Sequence, residues 1–301
     1  MKNPFIPLST DSRPSILCSY LILFVMLFPL AACASQSDFN FTLLENHLAN
    51  DKSEKFTPEQ INRIFDHPAV SFDINGVSGY FQHRESTLNY DQFLSDESIN
   101  NARAYIRNNQ ASLLKAEADY GVDKEVITAI MLVETRLGTY VGNRSVLNIL
   151  ATMAALEDKA TRDRFWDEIP AKNRISRADY EKKAVQKSQW AYGELKAFIK
   201  YVEKEGIEPY DIIGSYAGAM GIAQFMPSNI LLYAQDGNKD GKVDLFQNED
   251  AIASIANYLK HYGWKPGITR EEAEKVVYHY NHSSYYVNTV LNITDKLKSG
   301  A

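Results

Sequence analysis

Apolar positions along this chain fall into two regimes. The first is one unbroken run over residues 16–30, including Leu21-Ile22-Leu23-Phe24-Val25-Met26-Leu27-Phe28. Its length suits the central region of a secretory signal and is short for a membrane-spanning helix. The second regime begins near residue 57 and has the three- and four-residue spacing of helices. Thr57-Pro58-Glu59-Gln60 combines a capping threonine, a proline at the first helical position and a glutamine at the third. Asn75-Gly76, flanked by Phe72 and Val77, predicts a small hairpin. Residues 96–120 predict one helix closed by Gly121. Asp123 is placed to cap the next, over 124–137, which Gly138 stops. Its stretch Val126-Ile127-Thr128-Ala129-Ile130-Met131-Leu132-Val133 is apolar nearly all round, which assigns it to the interior. Further helices are predicted over 146–156, 178–205, 228–234, 250–262, 271–279 and 284–297, with a second capping box at Thr269 and Glu272. Residues 34–56 are polar and read as a tether. The chain thus divides into a leader (1–33), a tether (34–56) and a mainly α domain with little strand (57–301).

Composition narrows the chemistry. The body of the chain has no cysteine, since Cys18 and Cys33 both lie in the leader, so a disulfide framework, a thiolate metal site and a cysteine nucleophile are all excluded there. A net charge of −6 leaves no basic footprint for nucleic acid. Eighteen tyrosines and fourteen phenylalanines suit a carbohydrate cleft, and equally a core. The leader ends in Leu30-Ala31-Ala32-Cys33, which resembles the bacterial lipobox. Lipidation of Cys33 would give a membrane anchor, because several acyl chains hold a protein stably. Ordinary cleavage near Ala32 and an uncleaved helical anchor are the alternatives. Ala34 follows the cysteine, which by resemblance to Gram-negative sorting favours an outer-membrane lipoprotein facing the periplasm.

Four constellations carry candidate chemistry. In Glu134-Thr135-Arg136-Leu137-Gly138, Ile127, Ile130 and Met131 share the helix face of Glu134. An acid in apolar surroundings resists ionisation, as a general acid must. A glutamate paired with Arg136, or one at a solvated rim, is the alternative. The string from Gly214 to Ser228 is rich in small residues that admit a ligand to the backbone. A tight turn against the core helix would use the same residues. No Gly-Lys-Ser/Thr follows the glycines, so it is not a phosphate loop. Asp236-Gly237-Asn238-Lys239-Asp240-Gly241 opens like an EF-hand calcium loop, with the Lys242 carbonyl next in order. Gln247 stands where the bidentate glutamate belongs, and Asp250 is the nearest substitute; a metal-free turn is the alternative. Last, Tyr280-Asn281-His282-Ser283-Ser284-Tyr285-Tyr286 has the mixed character of a sugar subsite. His282 reads as structural, since no second histidine of an HExxH motif accompanies it, and catalytic zinc is not expected.

Together these segments resemble the lytic murein transglycosylase B family. The resemblance rests on Glu134-Thr135-Arg136 with Gly138; on Ser215 with Ala217-Gly218-Ala219-Met220-Gly221 and Gln224-Phe225-Met226-Pro227-Ser228; on the 236–250 loop; and on Ala256-Asn257-Tyr258 and Tyr280-Asn281-His282-Ser283. It implies a lysozyme-like helical catalytic domain with a small hairpin and an EF-hand-like loop holding structural calcium through Asp236, Asn238, Asp240, Lys242 and Asp250, without an organic cofactor. It implies Glu134 as catalytic acid and base, with Tyr90, Ser215, Gln224, Phe225, Met226, Tyr258, Tyr280, Asn281 and Tyr286 lining a groove for peptidoglycan strands. Family members also carry basic residues some way after the glutamate, where Lys159 is the nearest equivalent here. The reaction implied is cleavage of the MurNAc–GlcNAc bond with a 1,6-anhydro product. Cell-wall synthesis or remodelling proteins are the further candidate partners. A hydrolytic muramidase would need a second carboxylate, and a wall-binding scaffold would need no acid at all.

Overall fold

In the computed structural model, which describes residues 39–83 and 89–299, the chain is already folded where a tether was expected. Phe41, Leu44 and Leu48 are buried, the two leucines on one face of helix α1 (Thr42–Asn50). Asn40, Asn46 and Asn50, the polar residues that suggested a tether, form the exposed side. Just beyond, Asp51 accepts hydrogen bonds from Tyr192 Oη at 3.0 Å and Lys196 Nζ at 2.8 Å. The compact unit therefore starts at Phe39. Cys33 and the leader lie outside the described residues.

Helix α2 (Pro58–Phe65) opens with the expected capping box. Asn75-Gly76 does not turn a hairpin: it lies in the first turn of α3 (Ile74–Gln82). Asp73 Oδ1 accepts from Gly76 N at 2.8 Å and caps that helix, and burial of Val77 and Phe81, one turn apart, favours helix over hairpin. The helix expected over 96–120 is two, α4 (Asp96–Asn108) and α5 (Gln110–Tyr120). They break at Asn109, whose side chain donates back to Tyr105 O at 3.1 Å. Gly121 closes α5 in the left-handed conformation, at φ 70°.

Helix α6 (Lys124–Thr135) is buried at every position from Glu125 to Leu132. It is the axis of the core, packed against α4 and α13 (Ser284–Lys298). Asp123 stands at its cap position, but its carboxylate binds Lys298 Nζ at 2.9 Å and no backbone amide. Helix α7 (Val146–Ala155) packs along α9 (Arg177–Glu205), and so does α10 (Pro227–Tyr233). Helix α8 (Lys159–Glu168) has Phe165 as its one buried residue, so it has no apolar period to announce it. Helices α11 (Asn248–His261) and α12 (Arg270–Tyr280) complete the bundle.

Strand is minimal among the described residues. β1 (Arg144–Ser145) pairs antiparallel with β2 (Ile213–Gly214), Arg144 opposite Gly214. Beside it Met220 and Phe225 exchange both backbone hydrogen bonds, at 3.0 and 3.2 Å. The small hairpin thus sits over Gly221-Ile222-Ala223-Gln224. Gly221 has φ 72°, and a Cβ there would come within 2.4 Å of Leu245 Cβ, so the turn requires glycine. No helix among the described residues is long and apolar enough to cross a membrane.

Candidate active site

The C-terminal end of α6, the hairpin and the α12–α13 junction meet around an open cleft of about 960 Å3. Glu134, Tyr90, Ser215, Gln224, Met226, Tyr280, Asn281 and Tyr286 all line it. These residues come from segments far apart in sequence, and the fold brings them together.

Glu134 lies one residue before the end of α6 and is half-buried. The chain then runs through three left-handed residues, Arg136 (φ 49°), Leu137 (φ 62°) and Gly138 (φ 85°). Each of the two non-glycine residues costs about 1–2 kcal/mol in that conformation. Thr135, which is buried, holds the turn. Its Oγ1 accepts from Gly138 N at 3.0 Å and donates to Ile222 O at 3.1 Å, tying α6 to the hairpin. Arg136 turns to Gln92 Oε1, at 2.6 Å, and to the Phe93 ring.

Glu134 Oε1 accepts a hydrogen bond from Tyr286 Oη at 2.7 Å. Burial of Tyr286, and then the neighbouring Glu134 carboxylate, push the ionisation of that hydroxyl well above its usual range. It therefore stays a donor. Tyr280, raised in the same way, donates to Ala223 O at 2.6 Å.

Gln224 adopts φ 48°, and its Nε2 donates to Val141 O at 3.1 Å and Gly221 O at 2.9 Å. Those two carbonyls orient the amide and leave Oε1 as the atom it can offer a ligand. Ser215 is the converse. Its Oγ accepts from Ala217 N and Ala219 N, at 3.2 and 3.1 Å, so its O–H is the group it can offer. Phe225 and Tyr258 do not line the cleft. They are 2% and 4% exposed and lie beneath it, with Tyr258 edge-on to Tyr280 at 5.1 Å and donating to His279 O at 2.7 Å. Lys159 lies on exposed α8, paired with Asp163 at 2.6 Å, and is not part of the lining. Tyr140, Arg144 and Tyr216 are lining residues that no sequence motif singles out, although Tyr216 stands inside the Gly214–Ser228 string. Among the described lining residues Glu134 is the one carboxylate.

The Transglycosylase SLT domain family matches residues 42–274. The chain belongs to that family. It is 30% identical over 213 residues to membrane-bound lytic murein transglycosylase B of Escherichia coli, covering 69% of this chain and 50% of that protein. The chain thus spans about half the length of that curated relative. Among solved structures, soluble lytic transglycosylase SltB1 from Pseudomonas aeruginosa superposes with a TM-score of 0.69 at 22% identity, over 87% of this chain and 99% of that one. The Escherichia coli lytic transglycosylase Slt35 in complex with calcium gives 0.67 at 21%, over 87% and 93%. Pseudomonas aeruginosa SltB3 in complex with NAG-NAM-pentapeptide gives 0.69 at 22%, over 87% and 80%. The mainly helical, lysozyme-like fold is common to all three.

The 236–250 loop of this SLT-family chain winds like an EF-hand. Asp236 accepts from Asp240 N at 3.1 Å and Gly241 N at 2.8 Å, Asn238 Oδ1 accepts from Asp240 N at 2.9 Å, and Gly241 turns the chain at φ 90°. Asp250 closes the loop from the start of α11. It is 1% exposed and accepts from the backbone N–H groups of Gly237, Asn238 and Asp244, so it straps the loop to α11. Burial raises its ionisation above the usual carboxylate range. The described residues contain no group of three His, Cys, Asp or Glu arranged for a metal. The oxygens of Asp236, Asn238, Asp240, Asp250 and the Lys242 carbonyl are of the kind that suits a hard cation.

Proposed function

We propose that the cleft binds peptidoglycan strands and cleaves the β-1,4 bond between N-acetylmuramic acid and N-acetylglucosamine without water, leaving 1,6-anhydro-muramic ends. One observation carries this reading: the described cleft lining holds a single carboxylate, Glu134, and a buried tyrosine hydroxyl donates to it at 2.7 Å. One carboxylate suffices when the substrate supplies the rest. Protonated Glu134 gives its proton to the leaving oxygen, and the glycosidic bond breaks. Tyr286 stabilises the carboxylate that forms. The substrate's acetamido oxygen bonds to the anomeric carbon as positive charge develops there. Glu134 then takes the proton of the muramic C6 hydroxyl, whose oxygen closes the anhydro ring and releases the acetamido group. One group can serve as acid and then as base, as microscopic reversibility allows. The complexes of SltB3 with NAG-NAM-pentapeptide and NAG-anhNAM-pentapeptide support this substrate class.

The loop oxygens of Asp236, Asn238, Asp240, Lys242 and Asp250 would hold calcium in a structural role. The Slt35 complex with calcium supports this. Lipidation at Cys33 would anchor the protein at the outer membrane, facing the periplasm and the wall, and the membrane-bound relative supports an anchored location. Cell-wall synthesis or remodelling proteins are the partners such an address favours.

The test is mass spectrometry of products from purified peptidoglycan, with Glu134→Gln in parallel. Products lighter by one water than hydrolytic ones, formed by the unaltered protein alone, are expected. Full-mass reducing ends would make the enzyme a muramidase, and full cleavage by Glu134→Gln would remove the acid assignment.

A further inference from the structure

Arg144 is the one permanent cation among the described residues lining the cleft, and no step above uses it. It sits on β1, and its position is fixed from behind. Nη1 donates to both oxygens of Asp73, at 3.2 Å each. Asp73 is itself immobilised: Oδ1 caps α3 through Gly76 N at 2.8 Å, and its own N–H donates to Thr152 Oγ1 at 2.9 Å. Thr152 is fully buried.

The ion pair engages one nitrogen of a group that carries five N–H donors in a rigid fork. The Asp73 side chain is 17% exposed and that of Arg144 is 40%. The carboxylate thus lies behind, and the guanidinium opens to the cleft. A strut between β1 and α3 would need no such opening. Held this way, the guanidinium gives up little freedom on binding a second acceptor. Asn75, Asn143 and Arg144 line this part of the cleft, so the local lining is polar and lacks a second acid among the described residues.

Amino-sugar backbones are neutral. In the substrate class proposed above, negative charge comes only from carboxylates attached through the muramic lactyl ether. We infer that Arg144 binds such a carboxylate: the lactyl carboxylate of a peptide-free muramic residue, or a carboxylate of the stem peptide. The inference rests on the glycan reading. It makes Arg144 a specificity residue, one that selects muramic-containing strands over neutral amino-sugar polymers.

The experiment measures binding by titration calorimetry in a Glu134→Gln background, so that nothing is turned over. Three ligands of equal length are compared: strands bearing stem peptides, strands stripped of them by an amidase, and neutral N-acetylglucosamine oligomers. Arg144→Gln is expected to weaken binding of a carboxylate-bearing ligand about tenfold or more, the usual scale for a charge-assisted bond. Neutral oligomers should be unaffected, which also shows that the cleft is intact. Arg144→Lys should recover part of the loss. A loss confined to peptide-bearing strands assigns the stem-peptide carboxylate, and a loss on stripped strands assigns the lactyl one. An equal loss on all three ligands would make Arg144 only a strut for α3, and no loss on any would remove its role; either overturns the inference. If the Arg144-containing protein bound none of the three, the glycan reading itself would fall.

Discussion

Tyr286→Phe removes one oxygen and leaves the ring in place. That oxygen lies 2.7 Å from Glu134 Oε1. A hydrogen bond of this kind is worth about 0.5–1.5 kcal/mol when its acceptor is neutral and about 1.5–3 kcal/mol when it is charged. In the reaction proposed above, Glu134 enters protonated and becomes charged as the leaving oxygen takes its proton. The difference, about 1–1.5 kcal/mol, is therefore realised only in the transition state, which predicts a fall in kcat of about five- to thirteenfold. KM should barely move, because the hydroxyl points at the acid. The ring keeps its place beside Tyr280, 6.3 Å away, and half-buried Glu134 can take water in exchange, so thermal stability should change little. Without the donor the neutral acid is favoured, so the loss of activity on raising pH should begin at higher pH. Tyr286 adds no limb of its own, since its ionisation is pushed far above the usual range. The assay is the initial rate of anhydro-product release from purified sacculi across pH. An unchanged kcat, or a loss expressed only in KM, would refute the transition-state argument.

Thr135→Val keeps the shape but leaves the Gly138 N–H and the Ile222 carbonyl without the hydroxyl between them. At about 1–3 kcal/mol for each group, Tm should fall by roughly 4–24 °C, while Thr135→Ser should fall far less; equal Tm values for the two variants would deny the hydroxyl this role. Calcium should raise Tm by mass action, and Asp236→Ala should abolish the increment; no increment at saturating calcium would make the loop a metal-free turn. Lys196, and next Ser53, hold the Asp51 carboxyl well below the usual carboxylate range. That stabilisation is present above the unfolded pKa, about 3.9, and disappears as pH falls toward the folded value. The protein should therefore exceed Lys196→Met by about 1 kcal/mol near neutrality, with the gap closing below about pH 4. A gap independent of pH would mean that Lys196 contributes only through its packed methylenes.

What could be read from the sequence follows what each device depends on. Long helices with a buried stripe, such as α9 and α13, are legible because burial and period coincide along a single segment, and α6 is legible from its unbroken apolar run. Helix α8 was invisible because it buries only Phe165, and α1 was obscured by its asparagines, although Leu44 and Leu48 carry the signal. At Asn75-Gly76 a strong local turn preference lost to a cap from Asp73 and to burial of Val77 and Phe81. The acid and most of the cleft lining were legible because polar residues crowd into short strings. Whether a given aromatic lines or underlies the cleft was not, because that depends on packing: Phe225 and Met226 are adjacent, yet one is buried beneath Tyr258 and Tyr280 and the other faces the opening.

Backbone bonds also determine the polarity of the site. Gln224 gives both its observed N–H contacts to Val141 and Gly221, and so presents an acceptor. Ser215 accepts two backbone amides, and so presents a donor. Tyr280 and Tyr286 direct their protons to Ala223 and Glu134. Turning any of these side chains to suit a ligand of the opposite pattern would break the bonds that hold it, leaving a partner unpaired at a cost of about 1–3 kcal/mol where that partner is buried. A cleft prepared in this way favours ligands that repeat a donor and an acceptor on a rigid frame. An N-acetylated sugar does so, with an amide N–H and a carbonyl on every ring. The turn after Glu134 belongs to the same arrangement: the left-handed Arg136 and Leu137 bring the Gly138 N–H back onto Thr135 Oγ1, which also donates to Ile222 O in the hairpin. Thr135 thereby ties the helix end that carries Glu134 to the hairpin that carries Gln224.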